Sequence, residues 1–345
     1  MRIVVCGGGG LGHSCAGVLS NREGVTVDLL TNRPEKWNRT FRLNLPDGSR
    51  LTGKLNTITN DPARVIPDAD WVFLCLPAFL VERAIVQIRP FLQPNTVVGS
   101  VVGYTGFFLY CHQHLAPNCK LFTFQRVPYV SRVVDYGKEA NLLGFRDKLI
   151  MATENMEEDS FRRLAQALFG EDIELAESFY EVTLSNSNPI LHTGRLYTMW
   201  KDWDGTPFDR CSLFYQEWPI EASLLEVEMD KEFFAVLEAL HVNTKHIETL
   251  LEHYEATDAE GMTAKLRGIK ALSTILSPMK QVDRGWIPDL ESRYFTEDFH
   301  YGLKNIYLLA KQHNIPCPNI EKVYLWGSQI SLPPKNEEAR KHHES

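Results

Sequence analysis

The chain has 345 residues, 44% of them hydrophobic and 23% charged, with a formal net charge of -8. That length exceeds one ordinary core and predicts two domains, and the composition is that of a soluble globular protein. The acidic balance argues against a nucleic-acid surface, which needs clustered positive charge, but leaves room for a small anionic substrate held by one arginine or a helix N-terminus.

Arg2 to Val5 is a short apolar run, followed by glycines and then Cys15 to Leu19, which predicts strand, turn and helix. No basic-then-apolar leader fits before that strand. The longest apolar run, Trp71 to Val81, contains Pro77 and falls far short of a membrane span. Val25 to Leu30 alternates and is β-branched, so it predicts the second strand of a βαβ unit and a parallel sheet with a right-handed crossover. Leu51 to Ile58 alternates weakly and is a further strand candidate. Asp70 to Leu76 is nearly continuous in apolar residues and ends at Pro77, the pattern of a strand buried on both faces. Thr96 to Val102 repeats it, and Leu121 to Gln125 and Lys148 to Ala152 supply two more strands. The first half, residues 1–180, is therefore expected to be a doubly wound α/β sheet. From Glu181 the pattern turns helical, through Pro219 to Val242, His246 to Tyr254, Glu260 to Ser277 and Thr296 to Asn314. An all-helical domain over 181–332 and a polar, mobile tail from Pro333 to Ser345 are expected. The 7 cysteines are scattered without metal spacing, which predicts free thiols in a reducing compartment, the cytoplasm, and no structural metal.

Gly7, Gly9 and Gly12 match G-x-G-x-x-G directly after a strand and at the opening of a helix, the context of a dinucleotide-binding loop. Gly7 would permit the tight turn, Gly9 the approach of a pyrophosphate and Gly12 close helix–strand packing. Gly10 and Leu11 would open the helix whose free N–H groups face the phosphates. An acidic residue at the end of the second strand would hold the ribose of NAD, but Thr31-Asn32-Arg33 stands there instead. Arg33 can pair with a 2′-phosphate, with Thr31 and Asn32 as hydrogen-bonding partners, so NADP(H) is favoured over NAD(H). The plainer reading makes Arg33 a solvated loop residue beside Pro34-Glu35-Lys36.

Asn188-Pro189-Ile190-Leu191-His192 enters the first helix of the second domain. His192 can shuttle protons near neutral pH, although a lone histidine among 11 carries little weight by type alone. The cluster Ser185 to Asn188 is explained in part by helix capping. In Ser292-Arg293-Tyr294-Phe295-Thr296-Glu297-Asp298, Thr296 reads as an N-cap, with Glu297 and Asp298 in the first turn. Arg293 suits bidentate carboxylate binding or, equally, an ion pair with Asp289 or Glu291.

These segments resemble the opine dehydrogenases, the octopine/nopaline dehydrogenase family. The likeness runs through the glycine loop, Leu74-Cys75-Leu76-Pro77-Ala78, Gln125 to Arg132, Asn188-Pro189…His192, Ser277-Pro278, and Ser292 to Asp298 followed by Tyr301-Gly302-Leu303. It implies a Rossmann domain followed by a helical domain, with the site in the cleft between, and occurrence as a monomer or homodimer. It also implies reductive condensation of an amino acid with a 2-oxo acid, pyruvate by default, at the expense of NAD(P)H. By this resemblance His192 is the general acid/base, Asp298 its partner, and Arg293 the anchor of the oxo-acid carboxylate. Asn188 and Arg132 are expected as further substrate contacts and Arg126 is another candidate, with domain packing an equal reading of the two arginines, and Leu76 and Pro77 are expected to join the cofactor site. The tryptophans of Met199 to Gly205 and Trp218-Pro219-Ile220 line an amino-acid pocket or belong to the core, a choice left open. A carbonyl reductase like ketopantoate or glycerol-3-phosphate dehydrogenase is the first alternative. No lysine occurs between Lys148 and Lys201 to serve its chemistry. The second alternative is a nucleotide-binding sensor without turnover.

Overall fold

The computed structural model describes residues 1–170 and 172–331, and the expected tail from Pro333 to Ser345 lies outside them. The chain separates into two compact units, Met1–Thr183 and a second that begins at Leu184.

The first unit opens with β1 (Arg2–Cys6), α1 (Gly10–Leu19) and β2 (Thr26–Leu30), the βαβ unit predicted from the apolar runs. There follow β3 (Thr40–Asn44), β4 (Arg50–Lys54), β5 (Ile58–Thr59), β6 (Trp71–Leu74), α2 (Ala78–Ile88), β7 (Val97–Ser100), α3 (Phe107–His114) and β8 (Lys120–Phe124). The unit ends with β9 (Tyr129–Asp135), β10 (Glu139–Phe145), β11 (Lys148–Glu154), α4 (Glu158–Phe169), β12 (Asp172–Leu175) and α5 (Phe179–Thr183). Among the described residues the main sheet has eight strands in the order β12-β11-β8-β7-β6-β1-β2-β5. It is parallel from β8 to β5, and β11 runs antiparallel to β8. Strand alternation sends Ile3 and Val5 to one apolar cluster and Val4 and Cys6 to the other, so β1 is covered on both faces. β6 and β7 are buried at every position.

The run Leu51 to Ile58 is not one strand. It divides between β4 and β5, which belong to different sheets. A second sheet, in the order β4-β3-β10-β9, packs on α1, with Gly17 lying against Leu43 of β3. The pattern of β9 did not announce a strand, because after Tyr129 none of its residues is buried.

The second unit holds α6 (Asn188–Trp200), α7 (Ile220–Ala239), α8 (Leu250–His253) and α9 (Ala259–Gly268). Then come β13 (Met279–Val282) and β14 (Gly285–Pro288), a π-helix over Tyr294–Leu303, α10 (Lys304–Gln312) and α11 (Pro318–Ile330). Three helical expectations need correction. The segment His246 to Tyr254 supplies only one helical turn, started by the Thr249–Glu252 capping box. The helix expected over Glu260 to Ser277 ends at Gly268, and Met279 to Pro288 forms a hairpin within an otherwise helical unit. Thr296 is not an N-cap, because the π-helix already begins at Tyr294 and the Thr296 hydroxyl donates back to the Ser292 carbonyl. Among the described residues no helix is long and apolar enough to cross a membrane.

Candidate active site

The glycine loop in the first unit has the backbone that a dinucleotide needs. Gly7 has φ +119°, and a Cβ there would overlap the Cys75 carbonyl. A Cβ on Gly12 would overlap the Gly7 carbonyl, so α1 can follow the turn this closely only with glycine. Among the described residues nothing lies within 4 Å of a Cβ built on Gly9, so they leave its backbone approachable. Gly9 caps α1 with no side-chain hydrogen bond, and α1 carries no acid in its first turn, so its N-terminal N–H groups and dipole remain suited to phosphate. Leu76 lies against the Gly7 turn, and Pro77 caps α2. Gly10 does not face open space, because the Ser131 carbonyl sits 2.9 Å from its Cβ position.

One histidine that sequence reasoning passed over braces this loop. His13 is fully buried, its Nδ1 2.9 Å from the Gly9 carbonyl, and its Nε2 accepts from Gly137 N–H at 2.9 Å. Burial lowers its pKa from 6.5 to about 4, against the opposing effect of the Gly9 and Gly8 carbonyls. The ring is therefore neutral, with the hydrogen on Nδ1, and ties the glycine loop to the turn between β9 and β10.

Beyond β2, Thr31 is buried and its hydroxyl lies 3.3 Å from the Tyr136 hydroxyl, while Asn32 is exposed. The Arg33 guanidinium lies 5.3 Å from the centre of the Tyr136 ring. Asp28, the acid within β2, is fully buried, paired with Arg2 and accepting from Asn56 and Thr57, so it serves structure. Arg126 and Arg132 also belong to the first unit, and both are exposed.

In the second unit, α6 carries His192 and the π-helix carries Asp298. Their side chains meet at 2.8 Å between Nδ1 and Oδ2, although 106 positions separate them in sequence. Both are largely shielded, with side-chain exposures of 11% and 15%, so the pair acts in a poorly solvated setting. The helices approach closely because Gly302 of the π-helix faces Pro189 of α6. On its core side Phe295 and Phe299 stack in parallel, and Trp200 stacks on Phe295. Trp200 and Trp218 are both core side chains, which settles the choice left open for these two tryptophans.

The other imidazole nitrogen has a partner that the sequence did not reveal. His192 Nε2 lies 3.0 Å from the Tyr215 hydroxyl, and the Tyr294 ring packs 4.6 Å from the imidazole. Tyr215 sits in the connection between α6 and α7, held from both sides by Arg195, which donates to the Phe214 and Glu217 carbonyls. Arg195 is buried and its pKa falls to about 10, mainly by desolvation. Glu217, bridged by Arg210, is lowered to about 2. Glu226 of α7 is fully buried, neither carboxyl oxygen has a hydrogen-bond partner among the described residues, and desolvation drives its pKa well above 4.5 against the pull of Arg195. The only signal for Tyr215 in sequence was the aromatic density of Phe214-Tyr215…Trp218, which as often marks a core.

Asn188 stands one helical turn before His192, exposed, its N–H accepted by the Asn186 side chain. Ser187 takes the N-cap position without a side-chain cap bond, so capping by that serine is not what the polar cluster provides. Arg293 caps the π-helix by position and is exposed.

A family model described as NAD/NADP octopine/nopaline dehydrogenase, alpha-helical domain, matches residues 175–331. One described as ketopantoate reductase PanE/ApbA matches residues 3–102. The chain is 27% identical to an opine dehydrogenase of Haliotis discus hannai, covering 94% of this chain and 88% of that one. It is 27% identical to an octopine dehydrogenase of Mizuhopecten yessoensis, with 95% and 90% covered. It is 24% identical to a tauropine dehydrogenase of Arabella iricolor, with 95% and 91% covered. Among solved structures it is similar to octopine dehydrogenase with NADH and L-arginine, at TM-score 0.85, 24% identity and 96% and 89% coverage. It also shares its fold with an NADP+-bound yersinopine dehydrogenase, at TM-score 0.73, 12% identity and 95% and 90% coverage.

Proposed function

Because this chain belongs to the opine dehydrogenase family, we propose that it reductively condenses an amino acid with a pyruvate-like 2-oxo acid. It is an NAD(P)-dependent oxidoreductase acting on CH–NH groups, and the reaction runs in both directions. The observation that carries the reading of its site is the His192–Asp298 pair, formed by the helical unit that the family model matches.

The roles follow from the chemistry. A nicotinamide dinucleotide, held by the Gly7–Gly12 loop and the N-terminus of α1, supplies the hydride when bound. An amine attacks a carbonyl only as the free base, and the hydroxyl of the adduct leaves only as water. One proton must therefore be taken and later returned. His192 does both, because the Asp298 carboxylate fixes its Nδ1–H and stabilises the ring while it is charged. Arg293, exposed at the head of the π-helix that carries Asp298, binds the oxo-acid carboxylate as a bidentate fork. Asn188 and Arg132 are proposed as further substrate contacts. Orientation by these groups replaces a chance encounter of reactants with a positioned one.

Arg33 is proposed to bind the 2′-phosphate, which makes NADP(H) the preferred cofactor. Its stack on Tyr136 and the lack of an acid at the end of β2 support this. Seven cysteines without a disulfide support a reducing compartment, the cytoplasm, as its place of action.

The test is oxidation of NADPH and NADH across a panel of 2-oxo acids crossed with a panel of amino acids. Turnover is expected only when both substrates are present, and His192→Ala is expected to lower kcat by about 10²- to 10⁴-fold. Turnover with the oxo acid alone, indifferent to the amino acid, would replace this reading with a simple carbonyl reductase.

A further inference from the structure

We propose that Tyr215 is the relay through which His192 surrenders and recovers its proton, an inference that rests on the acid/base reading of His192. Hydrogen positions follow from donor and acceptor counts. The Asp298 carboxylate can only accept, so Nδ1 carries a hydrogen in both charge states of the ring. In the neutral ring Nε2 has only a lone pair, so across the 3.0 Å contact Tyr215 O–H donates. In the charged ring Nε2–H donates to the phenol oxygen, and the Tyr215 hydrogen must turn to another acceptor. That single bond reverses whenever the charge on the imidazole changes, so the phenol is coupled to every proton His192 handles.

The phenol is well placed to do this. It stacks on Trp218, with centroids 5.7 Å apart and planes 12° from parallel, and Arg195 pins the backbone on both sides of it. Burial above all, with the Asp298 carboxylate nearby, keeps the hydroxyl protonated at neutral pH. A phenol in that setting does not hold a charge, so it passes one proton only while receiving another.

The step balances as follows. The ammonium of the amino acid gives a proton to the Tyr215 oxygen as Tyr215 gives its own to Nε2, leaving a free amine and an imidazolium. The amine adds to the oxo-acid carbonyl, and its second surplus proton moves to the new alkoxide oxygen. Tyr215 O–H then protonates that hydroxyl while Nε2–H returns a proton to the phenol oxygen. The carbon–oxygen bond breaks, its electron pair leaves with water, and the nitrogen lone pair closes the carbon–nitrogen double bond. Tyr215 and His192 both end neutral.

Tyr215→Phe keeps the ring and its stack and removes only the hydroxyl. With the best substrate pair, kcat is expected to fall about tenfold or more while KM for the dinucleotide stays unchanged. In mixtures of light and heavy water, wild-type kcat is expected to curve as two protons move together, and the variant to respond linearly. Wild-type kcat and curvature in Tyr215→Phe would overturn the relay, as would a slower variant that keeps the curvature. A linear response in the wild-type enzyme would overturn it without any variant. Loss of activity in His192→Asn combined with an unaffected Tyr215→Phe removes the relay and leaves the proposed function standing. No turnover with any amino acid and oxo acid removes both.

Discussion

The choice of cofactor is proposed to rest on a single side chain past β2. Arg33 is half-buried against the face of Tyr136, which limits the rotamers a long side chain would otherwise lose on binding. Charge-assisted hydrogen bonds to a phosphate contribute about 1.5–3 kcal/mol. Arg33→Ala is therefore expected to lower kcat/KM for NADPH by about 10- to 100-fold and to leave that for NADH nearly unchanged, as read by steady-state kinetics with each cofactor. Equal losses with both cofactors would show that Arg33 supports the loop and does not read the 2′-phosphate. The residue motif Thr31-Asn32-Arg33 was legible in sequence, but its platform Tyr136 was not, because that ring arrives from the turn between β9 and β10, about a hundred residues later.

At the scale of elements, the His192–Asp298 contact depends on how closely α6 and the π-helix pack. Gly302 has no side chain, and a Cβ there would sit 2.6 Å from Pro189 Cγ. Gly302→Ala forces the two helices apart and is expected to cost about 1–3 kcal/mol in stability. Because the same pair of helices carries His192 and Asp298, kcat is expected to fall as well, while KM for the dinucleotide, bound by other elements, is unchanged. Denaturant melts and steady-state kinetics on this one variant check both outcomes. A stable variant with full kcat would show that the spacing has slack. The elements themselves were partly readable. Apolar runs announced β1, β2, β6, β7, β8 and β11, which are buried on both faces or nearly so. The exposed β9 and the hairpin of β13 and β14 have no such pattern, and the π-helix looks in sequence like any amphipathic helix.

For the whole molecule, two buried groups set opposite pH limits, one in each unit. His13 has its pKa lowered from 6.5 to about 4, so the unfolded chain binds the proton first as pH falls. Its contribution is complete above 6.5 and is lost between 6.5 and about 4, on the order of 3 kcal/mol in total. Glu226 is raised well above 4.5, so the unfolded chain ionises first as pH rises, and stability drains away above 4.5. Between about 4.5 and 6.5 the two effects oppose each other, so wild-type denaturant midpoints are expected to stay nearly level there, and His13→Asn should leave midpoints that rise as pH falls through that window. Glu226→Gln should flatten the decline on the alkaline side. Unchanged slopes in both variants would mean that other groups govern the profile. Sequence by itself marked the two-part organisation, the glycine loop and His192, Arg293 and Asp298 as candidates, because strand runs, glycine turns and the segments that carry the resemblance are local patterns. Only the tertiary structure decided that His192 and Asp298 touch, that Tyr215 occupies the other ring nitrogen, and that His13 braces the glycine loop. Those contacts join residues up to 124 positions apart. No local preference encodes such a pairing, which depends on how separate elements pack.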